Sequence, residues 1–169
     1  YEAGALKAGH EVRRITVAGL DFPLLRTAAD FQRGIPSAVI RDCQSTLAWA
    51  QHWVILYPLW LGSMPALLKG FFEQVGRPGF AFGEARGRGL PRKLLAGRSA
   101  RVVVTMGMPA LVYRHFYRAH SVKALERNVL GFVGIAPVHE TLIGMVDSLD
   151  EDGRANWLNK MAAFGRRAA

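Results

Sequence analysis

The 169 residues are enough for one domain with a sizeable core, and a composition of 50% hydrophobic and 21% charged residues is that of a globular protein. A single cysteine excludes an internal disulfide, cysteine and histidine nowhere cluster at metal-ligand spacing, and no apolar run approaches the roughly 18 residues that a membrane span needs. The net charge of +9 favours anionic partners such as nucleic acid, anionic lipid or a pyrophosphate cofactor, but the arginines are dispersed from Arg13 to Arg167 and no nucleic-acid motif accompanies them.

Residues 1–7 read as the end of a helix, with Ala3, Ala5, Leu6 and Lys7 as helix formers and Gly9 as the stop. Residues 11–18 read as a strand near a sheet edge, because Val12, Ile15 and Val17 are apolar while Arg13 and Arg14 stand between them. A short connector at 21–25 and Gly34 then lead to a helix over about 36–50. Its buried face is Val39, Ile40, Cys43 and Leu47, which makes Cys43 a structural thiol.

The stretch from 53 to 82 organises the rest. Trp53, Val54, Ile55, Leu56 and Tyr57 form an apolar run too short for a helix and without polar alternation, the pattern of a strand buried on both faces of a parallel sheet. Pro58 stops it, and the loop at 59–63 leaves its carboxyl end, where open α/β sheets bind ligands. Ser63 is placed to cap the next helix, Pro65 falls in its first turn, and Leu67, Leu68, Phe71, Phe72 and Val75 share one face. Gly76, Pro78 and Gly79 end it before Phe80, Ala81 and Phe82.

Residues 83–97 read as a solvated loop, with basic Arg86, Arg88, Arg92 and Lys93; the alternative is a cover that helps to attract a phosphate. Residues 99–106 form the second parallel strand, and Thr105, Met106, Gly107, Met108 and Pro109 leave its carboxyl end as Leu59 leaves the first, so the two loops can line one crevice. A helix over 122–132 and a last strand over 138–143 follow. Ser148, Leu149, Asp150 and Glu151 spell a capping box for a final helix carrying Trp157, Leu158, Met161 and Phe164, so the acidic cluster there is a helix start rather than a catalytic pair. Strands alternating with helices predict an α/β three-layer, doubly wound parallel sheet in a single domain over 1–169.

The run YPLWLGSMPALLKGFFEQV followed by GFAF resembles the signature of the flavodoxin-like NAD(P)H:quinone oxidoreductases, in its order and spacing. The resemblance implies a flavin, FAD with FMN as the alternative, and a two-electron, ping-pong transfer of hydride from NAD(P)H to a quinone or similar small acceptor. It places Leu59, Trp60, Leu61 and Gly62 against the isoalloxazine edge, where backbone amides would stabilise charge building on the ring. Thr105, Met106, Gly107 and Met108 match the second flavin loop, although Met106 and Met108 depart from the family's Thr-Thr-Gly-Gly-like run.

Tyr113 falls at the family's tyrosine beside the flavin carbonyl edge, as a hydrogen-bond donor. The companion catalytic histidine is assigned to His120, with His115 also nearby, although the matching position lies near Ala119. Ala81, Phe82 and Gly83 match the segment that borders the substrate pocket. The resemblance further implies a homodimer completing the site across a two-fold interface, for which apolar Leu111, Val112, Phe116 and Tyr117 are candidates. In the family a central strand and a phosphate-holding loop come before the helix in which this sequence begins. The expectation is therefore an N-terminally incomplete flavodoxin-like domain that binds flavin weakly. Two other classes stay in view: an ancillary subunit of a glutathione-gated potassium efflux system, and an electron carrier, which the basic charge disfavours. No metal, nucleic-acid partner or integral membrane segment is expected, and the location expected by default is cytoplasmic.

Overall fold

Helix α1 spans Glu2–Lys7 in the computed structural model of the protein, which describes residues 1–85 and 89–168. Residues 11–16, expected as a strand, pair with nothing, and Val17–Gly19 coils into a 3-10 turn. A strand needs a partner edge for its amides and carbonyls, and this segment meets none among the described residues. Ile15 and Val17 still pack on the core, while Arg13 lies over the Trp49 ring at 4.0 Å.

Helix α2, Ala28–Arg33, was not foreseen; Thr27 caps it by accepting from the Asp30 amide as the Asp30 carboxylate accepts from the Thr27 amide. Helix α3, Ala38–Trp49, is capped by Ser37 and buries Ile40 and the free thiol of Cys43 as its apolar stripe requires. Strand β1, His52–Pro58, buries Trp53, Ile55 and Tyr57 but leaves Val54 38% and Leu56 65% exposed. The two-sided burial read from the sequence is therefore half right. Helix α4, Ala66–Val75, buries Phe71, Phe72 and Val75, leaves Leu67 exposed and carries the Lys69–Glu73 ion pair. Its cap position is Pro65, and Ser63 does not cap it.

Within the expected loop the chain folds a small antiparallel ribbon of β2, Phe82–Ala85, and β3, Pro91–Lys93. Arg92 and Lys93 stand in β3, whereas Arg86 and Arg88 lie outside the described residues. Strand β4, Ser99–Thr105, follows, then helix α5, Ala110–His115, and helix α6, His120–Ala124. Helix α6 runs on through a π-helical stretch, Leu125–Leu130, into α7, Gly131–Val133. Strand β5, Val138–Ile143, and helix α8, Glu151–Arg167, complete the chain. Asp150 caps α8 by accepting from the Gly153 amide at 2.8 Å, so the cap is Asp150 and not Ser148, and with glycine three residues on it is a simple cap rather than the box expected.

The three long strands are parallel in the order β1-β4-β5, with Ile55 beside Val102 and Val103 beside Thr141. One face carries the main core, in which Ile55, Tyr57, Val102 and Val104 meet α3, α4 and α6. The other face packs Val103 and Ile143 against Met161 of α8, with Tyr1 and Trp157 at its margin. This is the three-layer α/β arrangement of a flavodoxin-like fold. The register explains the exposure of β1, because Leu56 lies beside Val103 on the α8 face, yet α8 covers only the β4 and β5 side of it.

At the amino end of β1, His52 bonds through Nδ1 to the Ser99 hydroxyl at 2.7 Å, and its buried Nε2 finds no partner among the described residues. Burial first, then the charges of Arg101 and His139, push its pKa down. The unfolded chain therefore takes up a proton at about pH 6.5 that the folded chain refuses. The expected result is stability that falls as pH drops below that value, with no contribution from His52 above it. Thermal melts at pH 7.5 and 5.5 check this, since His52→Gln should lose less between the two than the wild type.

Candidate functional site

Strands β1 and β4 end together, with Pro58 beside Thr105, and the Leu59 amide donates to the Thr105 carbonyl at 2.8 Å. The loops after them accordingly sit side by side at the carboxyl end of the sheet, as the sequence predicts. In the first loop Trp60 and Ser63 exchange backbone hydrogen bonds of 2.9 and 3.0 Å, closing a tight turn over Leu61 and Gly62. Both central residues have positive φ, 46° and 77°, the arrangement of a type I′ turn. Glycine adopts that backbone freely, whereas leucine is held there at a cost of about 1–2 kcal/mol. The strain presents Leu61 and Trp60 to solvent, while Leu59 packs on the core. Among the described residues, the exposed amides of Leu61 and Gly62 donate no backbone hydrogen bond.

In the second loop Met106 is buried in the core, donates its amide to the Ile143 carbonyl at 2.9 Å and accepts at its own carbonyl from Val146, so it fixes the loop from beneath. Thr105 and Met108 are half-buried and Gly107 is exposed. A third loop, after β5, backs the second: the Met145 amide donates to Met108 and the Val146 amide to Met106, each at 3.1 Å. Gly144 makes this approach possible, since a Cβ there would lie 2.8 Å from the Met108 carbonyl oxygen and 3.1 Å from the Pro109 carbonyl carbon. Asp147 closes over Gly107, where a Cβ would sit 3.2 Å from the carboxylate. Sequence reading missed this third loop because nothing in Gly-Met-Val-Asp signals which neighbour it meets.

Tyr113 is only 2% exposed. Its hydroxyl accepts from the Val122 amide at 3.3 Å and shares a hydrogen bond with the Ser121 hydroxyl at 2.6 Å. The Tyr57 hydroxyl is also buried, without a partner among the described residues, and burial followed by the nearness of Tyr113 pushes its pKa far above the usual phenol range. His115 ends α5 and His120 begins α6; both are exposed, and the Tyr113 hydroxyl bonds to Ser121 and Val122 rather than to either. Ala119, at the position where the resemblance places a histidine, is buried with φ 49°. Ala81 is buried in the core, and the Phe82 ring packs on Phe132 at 5.2 Å and Phe31 at 6.3 Å. Gly83 lies against the Arg92 side chain. Ala81 thus belongs to the core, and Phe82 and Gly83 to the β2–β3 ribbon, rather than to the two loops.

Beside the first loop opens a cavity of about 640 Å³, between the start of α4 and the α6 and π-helical wall. Trp60, Leu61, Met64, Lys69, Ser121 and Asn128 line it. Ser121 and Asn128 were not singled out from the sequence, because polar positions on an amphipathic helix read as its solvated face. Among the described residues, no three His, Cys, Asp or Glu side chains gather as a metal site, and no helix is long and apolar enough to cross a membrane.

A parallel sheet packed between helices, with two loops side by side at its strand carboxyl ends, defines a doubly wound α/β domain. The chain belongs to the family described as having the flavodoxin-like fold, whose model matches residues 1–164. A protein named as an uncharacterized NAD(P)H oxidoreductase of Haemophilus influenzae is 29% identical over 101 residues, covering 59% of this chain and 49% of that protein. The chain thus spans about half the length of this curated relative. Among solved structures, Smu.1420 of Streptococcus mutans superposes with a TM-score of 0.78 at 24% identity, covering 98% of this chain and 92% of that one. An NAD(P)H:quinone oxidoreductase of Methanothermobacter marburgensis gives 0.76 at 22%, covering 97% and 83%.

Proposed function

We propose that this chain forms the core of a flavin-dependent NAD(P)H:quinone oxidoreductase. The observation that carries the reading is the joining of the two loops by the Leu59–Thr105 hydrogen bond, with the Leu61 and Gly62 amides unengaged beside them. A planar ring fits this edge: Gly62 and Gly107 carry no side chain to obstruct it, and the exposed Trp60 can lie along it. When bound, the flavin accepts hydride from NAD(P)H and passes two electrons to the acceptor. FAD is the preferred form, with FMN as the alternative.

Leu59, Trp60, Leu61 and Gly62 hold one edge of the ring, and Thr105, Met106, Gly107 and Met108 hold the other. The Leu61 and Gly62 amides meet negative charge as it develops, without rearranging. Trp60 and Leu61 exclude water from the reacting face. Tyr113 acts from behind through Ser121, and His120, exposed at the start of that helix, serves as the acid–base group. Phe82 and Gly83, backed by the buried Ala81, serve as substrate contacts across a two-fold axis rather than within their own protomer. The exposed apolar side chains of Leu111, Val112, Phe116 and Tyr117 supply the surface for such a homodimer.

The outer edge of β1, which pairs only with β4 among the described residues, is where a further parallel strand would dock and where the phosphate end of the cofactor would be held. This reading predicts weak flavin binding by the 169-residue chain alone. A flavin fluorescence titration with FAD and FMN, followed by NADPH and NADH oxidation with menadione at saturating flavin, tests both parts. Measurable acceptor-dependent oxidation is the expected result. Tight, stoichiometric binding would overturn the strand and phosphate assignment, and the absence of oxidation at saturating flavin would overturn the reductase reading.

A further inference from the structure

The cavity beside the first loop contains a hydrogen-bonding group that the ring-holding backbone does not use. Its walls are mainly apolar, from Trp60, Leu61, Met64, Leu125 and Val129, and Ser121 and Asn128 are set among them. Lys69 lines it too, but its ammonium is already paired with Glu73. A volume of about 640 Å³ admits a small ring compound, and the mainly apolar walls favour an uncharged one. One wall is the π-helical stretch Leu125–Leu130, a rare geometry concentrated at functional sites.

The protons around Ser121 can be assigned by elimination. The Val122 amide has only a proton to give, so the Tyr113 oxygen accepts there. The buried phenol of Tyr113 then satisfies its own proton by donating to the Ser121 oxygen, at 2.6 Å. Having accepted that proton, the Ser121 hydroxyl retains its own for a further partner on the cavity side. Carbonyl oxygen is the complement to a fixed hydroxyl donor in an apolar setting, because it accepts without bringing a proton of its own to satisfy.

We propose that Ser121, its hydroxyl oriented by Tyr113, donates a hydrogen bond to a carbonyl oxygen of a flat, uncharged aromatic acceptor lying in this cavity against Trp60, Met64 and Val129. Ser121 thereby selects carbonyl-bearing ring systems over hydrocarbons of the same shape. That the bound molecule is the electron acceptor rests on the reductase reading; that a carbonyl compound binds at Ser121 does not.

Menadione and 2-methylnaphthalene, the same ring system without carbonyls, are the probes, titrated without NAD(P)H while the quenching of tryptophan fluorescence is followed. Ser121→Ala should weaken menadione binding about tenfold, the effect of one hydrogen bond, and leave 2-methylnaphthalene unchanged. Ser121→Thr should restore the menadione affinity. Ala124→Trp, at an exposed position on the rim, should abolish both by filling the space. Equal weakening of both probes by Ser121→Ala would make the serine a packing residue and overturn the proposal, as would menadione binding that survives Ala124→Trp. Serine-dependent menadione binding in a protein that oxidises no NAD(P)H with added flavin would leave this assignment standing and overturn the reductase reading alone.

Discussion

Gly144→Ala is expected to destabilise the protein by about 3 kcal/mol, a fall of roughly 6–12 °C in Tm for a chain of this length. The methyl group would meet the Ala110 amide, the Met108 carbonyl oxygen at 2.8 Å and the Pro109 carbonyl carbon at 3.1 Å. All three are backbone atoms, and none can rotate away as a side-chain tip would. Relief requires the loop after β4 to separate from the loop after β5. That movement stretches the Met145–Met108 and Val146–Met106 hydrogen bonds, both 3.1 Å, which fix the second ring-holding loop. Differential scanning calorimetry together with a flavin titration should show the melting temperature and the flavin affinity falling together. A melting temperature within about 2 °C of wild type, below what 1 kcal/mol produces, would mean that the loops part without cost.

Tyr113→Phe carries the second large effect, and it has two separable components. Without the hydroxyl, the buried Val122 amide loses its acceptor and Ser121 its fixed partner, at a cost of about 1–3 kcal/mol of stability. In the flavin-loaded protein, flavin content should remain largely intact while transfer to menadione slows by about tenfold, the kinetic equivalent of the one neutral hydrogen bond that the buried phenol controls through Ser121. Stopped-flow spectroscopy and thermal melts on the same sample separate the two. Lower stability with an unchanged transfer rate would confine Tyr113 to holding the start of α6.

The sequence by itself determined the parts governed by local pattern. The valine-rich run became β4 and the run at 138–143 became β5, because apolar segments of that length between turn signals have few other ways to be buried. Ile40 and Cys43 fell on the inner side of α3 for the same reason, since helical period alone chooses the face. The adjacency of the Leu59 and Thr105 loops also followed locally, because two parallel strands must release their chains at the same end.

The tertiary structure decided whatever depended on a distant partner. Residues 11–16 have the alternation of a strand, but pairing is a property of two edges, and no edge among the described residues meets them. Val54 and Leu56 are as apolar as Ile55, yet they stay exposed because α8 reaches over β4 and β5 only. Ser63 and Ser148 are plausible caps by spacing. Trp60 claimed the backbone of the first for a turn, and Asp150, two residues closer to α8, took the place of the second. Ser121 shows the same limit at the site. On a helical wheel it is one more solvated hydroxyl, and only the fold, by bringing the Tyr113 phenol to 2.6 Å and opening a cavity on its other side, makes it a directed donor.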